Sequence, residues 1–181
     1  MAMYIAIAIA VLIVAALVII ANRPNTFRVA RSAEIDGSPD VVFPLINDFH
    51  QWLKWSPWEK LDPNMKKTFE GPPAGTGSSY AWDGNKKAGA GKCTITQSKT
   101  NELVVIRLEM LKPFPADNQV TFTFAPAGSN TRVTWAMDGK CQFMTKAFSL
   151  ICNMDKMIGK DFEEGLSNLD RLAKAQKQPI A

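Results

Sequence analysis

The stretch Leu103–Asp138 reads LVVIRLEMLKPFPADNQVTFTFAPAGSNTRVTWAMD. Val104, Ile106, Leu108 and Met110 alternate with Val105, Arg107 and Glu109. Val120, Phe122 and Phe124 alternate with Thr121 and Thr123. Val133, Trp135 and Met137 alternate with Arg132, Thr134 and Asp138. A period of two puts successive side chains on opposite faces, so each run is a strand with one apolar face. Pro113, Pro115, Pro126 and Gly128 fall between the runs and mark turns. Short connections and a single apolar face describe an antiparallel sheet covered on one side.

The cover comes from the C-terminal side. Phe148, Ile151, Ile158, Phe162, Leu166, Leu169 and Leu172 recur at steps near 3.6, with Lys156, Lys160, Glu163 and Arg171 mostly off the stripe. That spacing predicts one long helix from about Met144 to Lys174. Upstream, Phe27, Val29, Ala33 and Ile35 predict a first strand. Ser38-Pro39-Asp40 then opens a helix, with Ser38 as cap, Pro39 at the first position and Asp40 at the positive dipole end. Val41, Val42, Leu45, Ile46 and Phe49 continue it, and Pro44 inside the pattern predicts a kink or a short helix. A second short helix covers Phe49 to Lys54. Met65–Glu70, Ser79–Asp83 and Gly91–Gln97 predict three further strands, the last two joined through Gly84-Asn85.

The expectation is therefore an α+β domain: a curved antiparallel sheet of about seven strands, two short helices and a long C-terminal helix laid on the apolar face. Curvature leaves room between sheet and helix, which side chains either fill or leave hollow.

At the other end of the chain, Met1 to Asn22 carries no charged side chain, and Tyr4 to Ala21 is almost all Ile, Ala, Val and Leu. Roughly 20 apolar residues at about 1.5 Å each span a bilayer core. A cleaved signal sequence would call for a basic residue before a shorter run and a small-residue cut site. Neither stands here, so the expectation is an uncleaved single-pass anchor, with cleavage and export, or a buried core helix, as alternatives. Arg23, Arg28 and Arg31 lie on the C-terminal side of the run, which keeps the following domain cytoplasmic under the positive-inside rule. Cys93, Cys141 and Cys152 are odd in number and lack paired spacing, as in a reducing compartment. The expected organisation is an anchor at 1–22, a linker at 23–26, one domain at 27–175 and a tail at 176–181.

The domain resembles the START-like, helix-grip (SRPBCC) superfamily, in its polyketide cyclase/dehydrase and lipid-transport branch. The resemblance rests on Trp52-Leu53-Lys54-Trp55-Ser56-Pro57-Trp58, Phe69-Glu70-Gly71, Gly75-Thr76-Gly77, Tyr80-Ala81-Trp82-Asp83-Gly84-Asn85, Gly89-Ala90-Gly91 and Asp161-Phe162-Glu163-Glu164-Gly165-Leu166-Ser167-Asn168-Leu169. Pro44 departs from the helix-forming residues expected in the first helix. The resemblance implies the helix-grip fold and an interior site for an apolar or amphipathic ligand. It implies no single reaction.

The residues themselves offer little chemistry. His50 is the only histidine, and no Ser or Cys motif makes it part of a triad. One histidine and three dispersed cysteines form no standard metal signature. The glycine-rich stretches lack the Lys-Ser/Thr of a phosphate loop. A net charge of +4 with scattered lysines fits a solvated face and possible attraction to anionic lipid, not a nucleic-acid site. No catalytic residue, metal or cofactor is therefore expected. Trp82, Cys93, Ile95, Ile106, Leu108, Met110, Phe122, Phe124, Trp135, Met137 and Phe162 converge on the inner face as candidate cavity walls. Asp155 falls on the helix stripe, either facing the cavity with a raised pKa or paired at the helix edge with Arg or Lys. Trp52, Trp55 and Trp58 are expected to cover one end of the barrel, with a cavity rim or contact with the membrane interface as alternatives. The expected function is non-catalytic binding of a lipid- or polyketide-like molecule beside a membrane. The alternatives are a cyclase or dehydratase and a protein-interaction module at a membrane complex.

Overall fold

A computed structural model describes residues 1–141, 146 and 153–177. Helix α1 (Ala2–Ala21) precedes strand β1 (Thr26–Asp36), helices α2 (Pro39–Asn47) and α3 (Phe49–Trp52), and a 3-10 turn at Glu59–Leu61. Strands β2 (Lys66–Glu70), β3 (Ser79–Asp83), β4 (Ala90–Lys99), β5 (Leu103–Lys112), β6 (Ala116–Ala127) and β7 (Asn130–Lys140) follow, then helix α4 (Met154–Lys177). The seven strands form one sheet in the order β1-β7-β6-β5-β4-β3-β2, every neighbouring pair antiparallel. This is the expected α+β helix-grip architecture.

Register fixes the inner face. Val29 lies opposite Met137, which lies opposite Val120, and Val120 lies opposite Ile106. Ile106 faces Ile95 on β4. The row continues with Trp135, Phe122 and Val104, all buried. Its partner surface is α4, whose Phe162, Leu166, Leu169 and Ala173 are buried against the sheet. Gly165 permits the approach: a Cβ there would lie 2.6 Å from Cζ3 of Trp135.

Asn153 breaks the continuous helix expected from Met144, and Lys146 before it is helical. Asn153 is non-helical, and its Oδ1 accepts the Lys156 backbone N–H at 3.0 Å. An Asn cap of this kind satisfies one of the donors a helix start leaves unpaired. The helix therefore begins at Met154. Phe148, Ile151 and Cys152, placed on the same stripe or beside it, lie outside the described residues.

The short helices form around proline and tryptophan. Pro39 takes the first position of α2 and Asp40 its first turn, while Ser38 makes no side-chain capping bond. The helix passes through Pro44 but ends at Asn47. The last carbonyls of so short a helix need outside donors. Trp52 Nε1 donates to the Ile46 carbonyl and Trp55 Nε1 to the Leu45 carbonyl, each at 2.9 Å. These two indoles are core residues that cap α2, and Asn168 Nδ2 ties the Trp55 carbonyl to α4 at 3.0 Å.

Helix α1 stands apart. Met3–Ala21 has a mean hydropathy of 3.2 and is almost wholly exposed. It is long and apolar enough to cross a membrane, and a signal sequence has the same character.

Candidate functional site

The inner face is divided into two parts. Beneath α4 and α2 it is filled by aromatic rings. Trp135 stacks on Phe162 at 4.2 Å between ring centroids and meets Phe122 at 4.9 Å, Trp55 at 5.6 Å and Trp58 at 5.5 Å. Phe124 packs on Phe43 of α2 at 5.3 Å. Ile95, Ile106, Phe122, Phe124, Trp135 and Phe162 are therefore packed core rather than the lining of an open space. Their role is to hold sheet and helix together.

The other part is the end of the sheet where β1, β4 and β6 begin and β3, β5 and β7 finish. The described part of α4 extends over β1 only from about Arg31 to Asp36, marked by its bonds to those two residues. Beyond Arg31, the inner row consists of Phe27, Gly139, Asn118, Leu108, Met110 and Gly91. Phe27, Leu108, Met110 and Asn118 are half-buried, as is Trp82 on β3, while Cys93 and Met137 are buried behind them. Two glycines shape this wall. A Cβ on Gly91 would meet Cη2 of Trp82 at 2.5 Å, and one on Gly139 would meet Cε1 of Phe27 at 2.4 Å. Each ring thus occupies the space a side chain at that glycine would need, and Trp82 Nε1 is fixed by the Ala88 carbonyl at 3.1 Å. Met110 and Met137 are adaptable in shape. Asn118 is the one uncharged polar side chain in the row.

Of the sequence candidates, Trp82, Cys93, Leu108, Met110 and Met137 come together here. Phe27, Asn118, Gly91 and Gly139 join them. Phase would have found these four, since each continues the two-residue period of an inner row. A search restricted to large apolar residues passes over an Asn and two glycines.

The charged candidates lie elsewhere. Arg31 occupies an inner-row position, and its guanidinium is bound by Asp155 at 3.0 Å and Glu163 at 2.7 Å. Asp155 is exposed, and the hydrogen bonds from Arg31 hold its carboxyl below the ordinary value of 3.8. It is the paired helix-edge residue and not a desolvated acid. His50 is exposed, with Nδ1 2.8 Å from Asp48 Oδ1 and its ring stacked on Phe69 at 4.2 Å. Burial pushes the Cys93 thiol up to about 12, so it stays protonated at neutral pH. Tyr80 donates to Glu59 Oε1 at 2.8 Å, and Lys67 pairs with the other oxygen of the same carboxylate. Desolvation first, and then the bond to Glu59, raises the Tyr80 pKa. This cluster pins the 3-10 turn to the sheet. Among the described residues no group of three His, Cys, Asp or Glu side chains is placed to hold a metal.

Open depressions lie at and beside this face. One, of about 650 Å³, sits on the outer side of the sheet, where Arg28 pairs with Asp138 at 2.6 Å and Arg107 with Asp117 at 2.8 Å. The other, of about 600 Å³, lies beside α2 between Pro44, Gln51, Ala74 and Gln176. The first reaches the inner row at Phe27, Asn118 and Gly139, and the second contains none of that row.

A family model described as polyketide cyclase/dehydrase and lipid transport matches residues 26–174. No curated protein matches the chain. Solved structures do. Protein CV1439 from Chromobacterium violaceum superposes with a TM-score of 0.58 at 15% identity, over 83% of this chain and 98% of that one. Protein SA2116 from Staphylococcus aureus, of unknown function, gives 0.62 at 11% identity, over 84% and 96%. DynU16, from the dynemicin biosynthetic locus, gives 0.57 at 14% identity, over 86% of this chain and 49% of its own. At such identities the likeness establishes the fold alone.

Proposed function

The chain belongs to the polyketide cyclase/dehydrase and lipid-transport family, and from that premise we propose that it is a membrane-anchored binding domain. It takes one hydrophobic or amphipathic molecule, lipid-like or polyketide-like, on the open end of its inner face and does not alter it chemically. Residues 1–22 are the anchor, 23–26 the linker and 27–175 the domain, held on the cytoplasmic side.

The observation that carries this reading is the half-buried wall of Phe27, Trp82, Leu108 and Met110. Apolar surface of that kind, continuous with the core and only half-buried, gains free energy when a ligand covers it. About 400 Å² of ligand surface at roughly 25 cal/mol per Å² gives about 10 kcal/mol. Association costs of at least about 4 kcal/mol leave a dissociation constant near tens of micromolar. Asn118 can bond a hydroxyl, carbonyl or head group, which favours an amphipathic ligand over a plain hydrocarbon. Absence of chemistry is inferred from placement. General acid–base catalysis needs titratable groups converging on the substrate. Here His50 is on the outside, Asp155 and Glu163 are held by Arg31, and the Cys93 thiol is protonated.

Native mass spectrometry tests the proposal. The full chain, delipidated in mild detergent, is offered fatty acids, phospholipids and aromatic polyketides in turn. The expected result is a single adduct with at least one class, lost in Met110→Trp. An absence of adducts across the panel would remove the proposal, and turnover of any panel member would replace it with the enzyme alternative.

A further inference from the structure

Outside α1, exposed large apolar side chains are few among the described residues, and two of them share one hairpin tip. Leu111 is 61% exposed and Phe114 80% exposed, at the β5–β6 connection. Neither belongs to the core of the described residues or packs against it. Pro113 and Pro115 flank Phe114, and Lys112 sits between the two.

Strand register places this tip. Phe27 lies opposite Gly139, and Gly139 lies opposite Asn118. The ladder runs one step further, because Cys141 donates its N–H to the Asn25 carbonyl at 2.7 Å. Ala116 is therefore level with Asn25, and the tip that precedes Ala116 lies at the end of the sheet from which the chain runs back to α1. Strand β6 lies two positions from β1, a lateral distance of roughly 10 Å. Residues 22–25 reach at most about 14 Å when extended. Any surface that receives α1 is thus within reach of Phe114.

Charge agrees with this placement. The neighbouring β3–β4 loop carries exposed Lys86 and Lys87. That loop abuts the tip: a Cβ on Gly89 would lie 2.3 Å from the Lys112 carbonyl oxygen and 3.5 Å from Pro113 Cδ. Arg23 and Lys140 add exposed positive charge at the same end. Lys112 pairs with Asp83 at 3.3 Å, so the excess comes from the other four. An aromatic and a leucine ringed by basic residues match a headgroup layer containing anionic lipid, where apolar tips enter the interface and lysines stay outside it.

We infer that the Leu111–Pro115 tip inserts into the same leaflet boundary that receives α1, so that the end of the inner face beside Met110 rests on the lipid surface. The inference depends on the anchor proposed above and narrows its ligand. Met110 and Leu108, the outermost wall residues on β5, directly precede the tip. A molecule entering there comes from the bilayer and not from water, which selects a membrane-resident lipid or a similarly insoluble amphiphile.

Photocrosslinking of the full chain tests this in nanodiscs of phosphatidylcholine mixed with phosphatidylglycerol. A benzoylphenylalanine replaces Phe114 in one sample. In the other it replaces Ser129, in the β6–β7 turn at the opposite end of the sheet. Phospholipid adducts, identified by mass, are expected at position 114 in excess of position 129 by on the order of tenfold. A parallel alkaline carbonate extraction separates the two readings. Retention of the chain in the membrane without lipid adducts at 114, or with adducts to protein instead, would overturn the insertion and leave the anchor standing. Release of the chain would remove both.

Discussion

Arg31 occupies a position that an apolar residue would ordinarily fill. It lies opposite Trp135 in the sheet and on the same inner row as Val29 and Ala33. A cation there is tolerated because α4 brings two carboxylates to it at the edge of the helix, where water still reaches both partners. Asp155 gives two oxygens and its backbone carbonyl to the guanidinium, and Glu163 gives a third side-chain oxygen. Because its carboxyl is held below 3.8 in the folded chain, Asp155 binds its proton later than in the unfolded chain as pH falls. The stabilisation it confers is thus complete above the unfolded value and disappears as pH drops through the folded one. Asp155→Asn should lower the urea midpoint modestly at neutral pH, as befits an exposed pair. The difference from wild type should close as the pH is taken below 3.8. Urea titrations of both proteins across that range check it, and a gap that ignores pH would show that Arg31 is not the partner that matters.

Elements were legible wherever a single periodicity ran without interruption. Strands β5, β6 and β7 follow the alternation of Val104–Met110, Val120–Phe124 and Val133–Met137, and the stripe from Ile158 to Leu172 is the buried side of α4. What escaped were local devices that change the phase or stop the element. On β4, Ile95 faces Ile106 but Gln97 faces Val105, so Thr96 is an extra residue in a bulge. The bulge turns Ser98 inward, where it meets Asn47 of α2 at 2.7 Å. Asn153 sets the start of α4 in the same unannounced way. The open wall was half legible: its apolar members were, while Asn118, Gly91 and Gly139 reveal themselves only through register. Two glycines of α4 make a prediction about docking. Ala at a helical Gly ordinarily gains about 1 kcal/mol. At Gly165 the new methyl meets Trp135 at 2.6 Å and Pro57 at 3.2 Å, and Trp135 is held by rings on several sides. Overpacking of about 1–3 kcal/mol should win there. At Gly159 the nearest atoms are the Arg31 guanidinium, which makes room by loosening its exposed pairs with Asp155 and Glu163, a smaller cost that the helical gain of Ala offsets. Gly165→Ala should therefore lower the denaturation midpoint while Gly159→Ala leaves it nearly unchanged. Equal effects in urea melts would mean that α4 does not rest on Trp135.

At the scale of the molecule, the packed aromatic core and the proposed binding wall occupy different halves of one sheet. The half under α4 and α2 is closed by Trp52, Trp55, Phe122, Trp135 and Phe162, whose rings leave a ligand nothing to displace except the core itself. The half beyond Arg31 ends in a wall that adds little to folding because it stays partly in water. Each half can therefore be disabled separately. Phe122→Ala removes a fully buried ring at a cost of about 3–5 kcal/mol and should lower the melting temperature sharply. Leu108→Trp adds bulk at a half-buried position and should change the melting temperature little. A ligand that binds only the folded chain raises stability by about 2.7 kcal/mol at a hundred times its dissociation constant. For a domain of this size that is a shift of roughly 5–10 °C. Thermal melts with a saturating ligand should show that shift in wild type and in Phe122→Ala, but not in Leu108→Trp. If Phe122→Ala loses the shift while Leu108→Trp keeps it, the ligand lies among the aromatic rings beneath the helix, and the open end is only a rim.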